Sequence, residues 1–265
     1  MKSSKPRLQR EEAWTLNSFE CGKILGRGQF GTVYKAREKR TNKLVALKQI
    51  KKSVLENYDF FSQTRTELEI HCRLRHPNIL RLYGYFYDKD GIYVVLELAE
   101  HGNLYQTLKS AKRFSEERSR HILRQLIDAL VFLQQRNVIH RDIKPENILL
   151  MDDALKKPEM SAYPFGDLST GGLTDYGEGG IIKLCDFGWA TLAPDEGRTT
   201  FCGTPDYLAP ELLTNQPYGG KIDLWAVGIL MYELLVGSAP FSGYNHEDTY
   251  SRIGQLKLDK SKENY

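Results

Sequence analysis

β-forming and apolar residues cluster first into three short runs, 19–26, 31–37 and 43–50, separated by glycines or by Thr41-Asn42, and these predict three strands. A helix is predicted over about 60–75, where Glu67, His71 and Leu74 fall at i, i+4 and i+7 on one face. His76-Pro77-Asn78 stops it, and 79–86 and 92–96 read as two further strands joined by the polar turn 88–91. Residues 97–102 are polar and end in glycine, a connector. Ser115 then caps a helix whose first turn holds Glu116 and Glu117, suited to the helix dipole. Its apolar positions 122, 123, 126, 127, 130 and 133 predict one continuous buried stripe. Short strands are expected at 148–151 and 181–185, on either side of a loop-like interruption, 152–180, read as a disordered insertion. The stretch 221–237 is apolar nearly all round and predicts a buried helix, within which Asp223 needs hydrogen-bond partners. A last helix begins over 247–253.

Composition narrows the picture without deciding it. The chain has 265 residues, 41% hydrophobic and 27% charged, enough for one large domain or two lobes. A net charge of +3 argues for neither nucleic acid nor membrane as a partner. Residues 1–18 read as a flexible basic lead-in without a signal-peptide core, and no apolar run is long enough to span a bilayer. Cys21, Cys72, Cys185 and Cys202 stand in no metal spacing, so they read as reduced thiols of a cytosolic or nuclear protein.

The chemistry concentrates in His140-Arg141-Asp142-Ile143-Lys144-Pro145-Glu146-Asn147. Within one loop stand a carboxylate able to accept a hydroxyl proton (Asp142), an ammonium able to neutralise a moving phosphoryl group (Lys144) and an amide able to hold magnesium (Asn147). Gly26, Gly28 and Gly31 form a GxGxxG pattern that a plain hairpin turn also explains. The β-formers Thr32, Val33 and Tyr34 after it favour strand–loop–strand over the strand–loop–helix of a dinucleotide site. Lys48 ends Val45-Ala46-Leu47-Lys48, and a glutamate on an inward helix face, Glu67, needs a cation such as Lys48 beside it. Glu69, on the opposite side of the helical wheel, fits a solvated surface charge. Asp186, in Asp186-Phe187-Gly188, supplies a carboxylate at a strand end for the same metal as Asn147. A phosphate on Thr200 would pair with Arg141 and Arg198 and order the loop that ends at Ala209-Pro210-Glu211.

Taken in order, Gly26/Gly28/Gly31, Lys48, Glu67, Asp142, Asn147, Asp186 and Glu211 resemble the motif set of a eukaryotic protein kinase from Phe19 onward. Lys144 and Thr204 look like the serine/threonine branch. The run from Leu74 to Phe86, Trp189 after Asp-Phe-Gly, and the run from Arg198 to Thr204 are similar to Aurora kinases. The resemblance implies an α+β, bilobal fold with a β-rich small lobe over 19–96 and a mostly helical large lobe over 97–265. It implies ATP and Mg2+ as cofactors, with Leu96 as gatekeeper and Glu97 and Ala99 offering backbone contacts. Leu25, Val33, Ala46 and Leu149 would enclose the adenine, and Glu146 would join the nucleotide contacts. It further implies protein substrates with Ser/Thr near Arg, an activator or scaffold peptide on the small lobe, and a place at the spindle, centrosome or kinetochore. His71 stands where most kinases carry an apolar residue and Aurora kinases a Gln.

The chain departs from the pattern at Thr66, where Aurora kinases carry an Arg, and at 152–180, where they have a short hairpin. The family would also supply further helices after Ile253, including an Arg for Glu211. On that ground the large lobe is expected to be incomplete, and a catalytically impaired kinase-fold scaffold or regulator is the alternative.

Overall fold

The computed structural model describes residues 13–28, 31–56, 58–152, 180–192, 202–214 and 216–258. Its contacts divide into two units, Met1–Phe60 with Leu82–Leu98, and Phe61–Arg81 with Ala99–Tyr265. Among the described residues, five strands build the first: β1 Phe19–Gly28, β2 Gly31–Glu38, β3 Leu44–Lys51, β4 Leu82–Tyr87 and β5 Gly91–Leu96. They form one antiparallel sheet in the order β1-β2-β3-β5-β4. A one-turn helix, α1 (Lys52–Leu55), follows β3.

Directly opposed residues share a face and neighbours along a strand alternate, so the register sorts the side chains. One face packs Ala36, Val45, Leu47, Tyr93 and Val95 with Phe19 and Phe86 into a small core. Phe86 stacks on Tyr93 and on Phe19, with centroids 4.9 and 5.6 Å apart. The other face carries Val33 opposite Lys48, Lys48 opposite Val94, and Ala46 opposite Leu96.

The second unit takes the rest. Its helices are α2 Tyr58–His71 (from Phe61 on), α3 Leu104–Ala111, α4 Glu116–Gln134, α5 Pro210–Leu213, α6 Lys221–Val236 and α7 His246–Gly254. Its short strands pair as β6 (Val138–Ile139) with β9 (Thr191–Leu192), and β7 (Ile148–Leu150) with β8 (Ile182–Leu184). The core runs through α4, β7, β8 and α6, with Ile122, Leu126, Ile148, Leu150, Leu184, Phe187 and Leu230 fully enclosed. The expected Ser115 cap is present, and Asn245, which the sequence pattern did not single out, caps α7. Ser115 Oγ accepts from Arg118 N at 3.2 Å, and Asn245 Oδ1 accepts from Asp248 N at 2.8 Å.

Several elements differ from the sequence expectation. α2 ends at His71, four residues early, because Arg73 N and Leu74 N bond to Ile70 and His71 carbonyls and tighten the chain into turns. The strand expected from residue 79 starts at Leu82. Leu80 N instead donates to Leu184 O at 2.9 Å, and Ile70, Leu74 and Ile79 join the larger core. Ile127 does not belong to the buried stripe of α4. It is 45% exposed, while Gln125 and Ala129 are buried. α6 is not enclosed all round either: Leu224 and Met231, one above the other at i and i+7, are 66% and 48% exposed. Helix α3, capped by Asn103, was missed from the sequence because its eight residues give too few apolar repeats.

Candidate active site

In the second unit the octet 140–147 is a loop running from β6 to β7 whose backbone is fixed from below. The carboxylate of Asp223, on the first turn of α6, accepts from His140 N and Arg141 N, both at 2.8 Å. These two amides are the hydrogen-bond partners that the buried position of Asp223 called for. Burial pushes the Asp223 carboxyl above its usual range, and the two amides together with His140 and Arg141 pull the other way. Arg141 is left-handed at φ 69°, a conformation that persists because the surroundings over-determine it.

Asp142 is 7% exposed, and both of its oxygens are aimed by neighbours. Oδ1 accepts from Thr204 Oγ1 at 3.0 Å, and Oδ2 accepts from Asn147 Nδ2 at 2.8 Å. Lys144 Nζ lies 2.9 Å from Oδ2 and donates to Thr204 Oγ1 at 2.8 Å. A carboxylate held this way beside an ammonium is suited to orient a hydroxyl and accept its proton.

Asn147 and Asp186 come together through the β7–β8 pair. Cys185 N donates to Asn147 O at 2.9 Å, which sets the two residues at adjoining strand ends. Asn147 Nδ2 also bonds Asp142 O at 2.8 Å, so the amide oxygen is the atom presented to a cation. Asp186 is left-handed at φ 62°, and its Oδ1 accepts from Gly188 N at 3.2 Å. Among the described residues there is no group of three or more His, Cys, Asp or Glu that could cage a metal. One amide and one carboxylate suit magnesium, which keeps water and substrate phosphates as its other ligands.

Phe187 is wholly buried between His71, centroids 4.6 Å apart, and His140, at 4.9 Å. The polar His71 is accommodated because its Nε2 bonds the Leu80 carbonyl at 2.6 Å. From the same helix, Gln63 Nε2 donates to Gly188 O at 2.6 Å, and Glu67 is half-buried close to Gly188. Glu69 is a surface charge, paired with Arg65 at 2.7 Å.

In the first unit the register places Gly26, Val33, Ala46, Lys48 and Leu96 on the sheet face away from the small core. Leu25 lies where the β1–β2 register shifts, and Glu97 follows β5. Ala99 and Leu149, the latter on β7, belong to the second unit. The three glycines are not equivalent. A Cβ on Gly31 would lie 1.8 Å from the Gln49 carbonyl oxygen, so pairing of β2 with β3 itself requires glycine there. A Cβ on Gly26 or Gly28 would meet nothing within 4 Å among the described residues. Gly31→Ala is therefore expected to lower the melting temperature by several degrees. Gly28→Ala should leave melting unchanged and raise KM for ATP several-fold, as thermal scans and ATP titrations would read.

The family model for the protein kinase domain matches residues 19–264. The chain is 42% identical to Aurora kinase B of Mus musculus over 250 residues, covering 94% of this chain and 65% of the relative. It is 47% identical to the Aurora kinase of Schizosaccharomyces pombe, covering 92% and 61%. To the serine/threonine-protein kinase Aurora-1 of Arabidopsis thaliana it is 44% identical, covering 94% and 75%. This chain belongs to the Aurora branch of the protein kinase family. It spans 55 to 65% of the length of the mouse, Xenopus and fission-yeast relatives.

For a kinase of this branch, the octet, Asp186 and the glycine pattern were legible at short spacing. Thr204 as the partner of Asp142, Tyr218 as a partner of Arg141, and the group around Glu233 were not, since each depends on residues far apart in sequence. Thr200 and Arg198 lie outside the described residues, as does 153–179, nearly all of the expected insertion.

Proposed function

We propose that this Aurora-family kinase transfers the γ-phosphoryl group of ATP to serine or threonine hydroxyls of protein substrates bearing arginine near the acceptor. The observation that carries the reading is the Asp142 carboxylate, fixed by Thr204, Asn147 and Lys144 in one buried group. Asp142 orients the acceptor hydroxyl and takes its proton, while Lys144 offsets charge on the transferred group. Magnesium, held by Asn147 and Asp186, would supply charge neutralisation on the ATP phosphates. By family resemblance, Lys48 would hold the α- and β-phosphates, with Glu67 as its acidic counterpart. Leu25, Val33, Ala46, Leu96 and Leu149 would enclose the base, with Glu97 and Ala99 offering backbone groups. Gly26 and Gly28 would let the chain approach the phosphates. A phosphate on Thr200 would pair with Arg141 and Arg198. A complete set of these groups favours an enzyme over a kinase-fold scaffold.

The preference for arginine has a candidate source. Tyr207 donates its hydroxyl proton to the half-buried carboxylate of Glu233, and Glu146 and Asp206 lie close enough to act on both. Burial first, then Glu146 and Asp206, push the Glu233 carboxyl above its usual range. Such a crowd of carboxylates is relieved by a guanidinium. By family resemblance, the kinase would act in mitosis at spindle, centrosome or kinetochore, with an activator peptide on its small lobe. Among the described residues no helix is long and apolar enough to cross a membrane.

The test is transfer of labelled γ-phosphate to an Arg-x-Ser peptide and to its Ala-x-Ser counterpart. Absence of transfer by folded, ATP-binding protein would remove the reading. Protonation of Glu233 removes the charge that attracts arginine, and its raised pKa brings this about at higher pH than for an ordinary carboxyl. KM for the arginine peptide should therefore rise as pH is lowered, starting at a higher pH than an ordinary carboxyl would require, with no matching change for the alanine peptide. Glu233→Gln should abolish that difference. Parallel pH profiles for the two peptides would assign the preference elsewhere.

A further inference from the structure

Arg141 immediately precedes the proposed base, and three segments of the second unit converge on it. Its backbone N–H is taken by Asp223 at 2.8 Å. Its Nε donates to Trp189 O at 2.5 Å, and its Nη1 donates to Tyr218 Oη at 2.8 Å. Tyr218 stands just before α6. The residue is 9% exposed and packs with Ile139, Leu208, Ala209, Leu212 and Ile222, a cluster separate from the main core. Ile139 is the residue before the octet, and Leu208 to Leu212 follow the turn that carries Thr204. The tyrosine ring is thus fixed by packing, and its hydroxyl is delivered to the guanidinium as a rigid acceptor.

A left-handed arginine is strained, and its fork is stiff only while both branches are engaged. We infer that Tyr218 is a positioning residue: its hydroxyl fixes the Arg141 guanidinium and, through it, the carboxylate of Asp142. The inference rests on the kinase reading above but assigns a residue which that reading does not use. The hydroxyl lies on the Arg141 side of the loop and takes no part in the Thr204–Lys144–Asn147 group. Its loss should therefore slow the chemical step while leaving nucleotide binding intact. A hydrogen bond to a charged group, transmitted in part, corresponds to about a tenfold change in rate.

The experiment compares wild type, Tyr218→Phe, Arg141→Ala and the double variant in the peptide assay, and melts all four without substrate. Tyr218→Phe keeps the ring and removes only the hydroxyl. It is expected to lower kcat about tenfold with KM for ATP unchanged. In the Arg141→Ala background the same change should alter kcat less than twofold, because the partner through which the hydroxyl reaches Asp142 is gone. Three results overturn the inference: wild-type kcat in Tyr218→Phe, an undiminished loss in the Arg141→Ala background, or a fall in melting temperature with kcat and KM shifting together. An inactive but folded wild type would count against the kinase reading instead. The melting data then decide alone: non-additive shifts support the Arg141–Tyr218 link, and additive shifts reject it.

Discussion

Asp142→Asn is expected to lower kcat by about 10²–10⁴-fold, the range for loss of a positioned general base. The substitution preserves shape, so Thr204 Oγ1 still finds an acceptor at the former Oδ1 position. The other position is the difficulty. Asn147 Nδ2 and Lys144 Nζ, both within 2.9 Å of Oδ2, would face an amide N–H₂ instead of an oxygen. The amide either turns these donors away or rotates and abandons Thr204, and in neither orientation can it accept a proton. ATP binding should survive, since the nucleotide contacts proposed above do not include Asp142. An Mg-ATP-dependent rise in melting temperature equal to that of the wild type, beside a turnover at least a hundredfold lower, is the expected pair of results. Turnover within a few-fold of wild type would remove Asp142 as base and, with it, the main support for phosphoryl transfer at this loop.

The second large effect is expected one layer below. Asp223→Ala would leave the amides of His140 and Arg141 without an acceptor in a place where His140 is wholly buried. Each unsatisfied buried amide costs about 1–3 kcal/mol, so the fold should lose ~2–6 kcal/mol, a large share of a domain's stability. Arg141 would also lose the bond that helps hold its left-handed backbone, and Asp142 follows directly. A displacement of about 1 Å there lowers the rate by roughly a hundredfold. Asp223→Asn keeps one oxygen and places an amide N–H₂ opposite the other N–H, so it should fall between Asp223→Ala and wild type. Thermal unfolding and kcat for the three proteins check this order. Unchanged melting with wild-type kcat in Asp223→Ala would mean that the loop holds itself without the α6 carboxylate.

The two cases differ in how visible they were in the sequence. Asp142, Lys144 and Asn147 lie within one loop at fixed offsets, and groups that act together over a few residues leave a local pattern. Asp223 showed only that a charge in an apolar helix must have partners. Thr204 stood in a polar loop with nothing to tie it to Asp142, and Tyr218 gave no sign of its bond to Arg141. Those contacts join residues some 60 to 80 positions apart. The apolar pattern also misjudged Ile127, Leu224 and Met231, since periodicity shows which residues share a face but not which faces find a neighbour.

The sequence by itself determined the family, the longer strands and helices apart from α3, and the short-range residue pattern of the 140–147 loop. These depend on local spacing: two for strands, near four for helices, and fixed offsets within a motif. Tertiary structure decided which glycine the sheet requires, which faces are covered, and what fixes Asp142 from above and Arg141 from the side. The physical reason is that a hydrogen bond or packed contact depends on distance in space. Bringing together groups 60 to 80 residues apart is the work of the whole second unit, and no local pattern of residues records it.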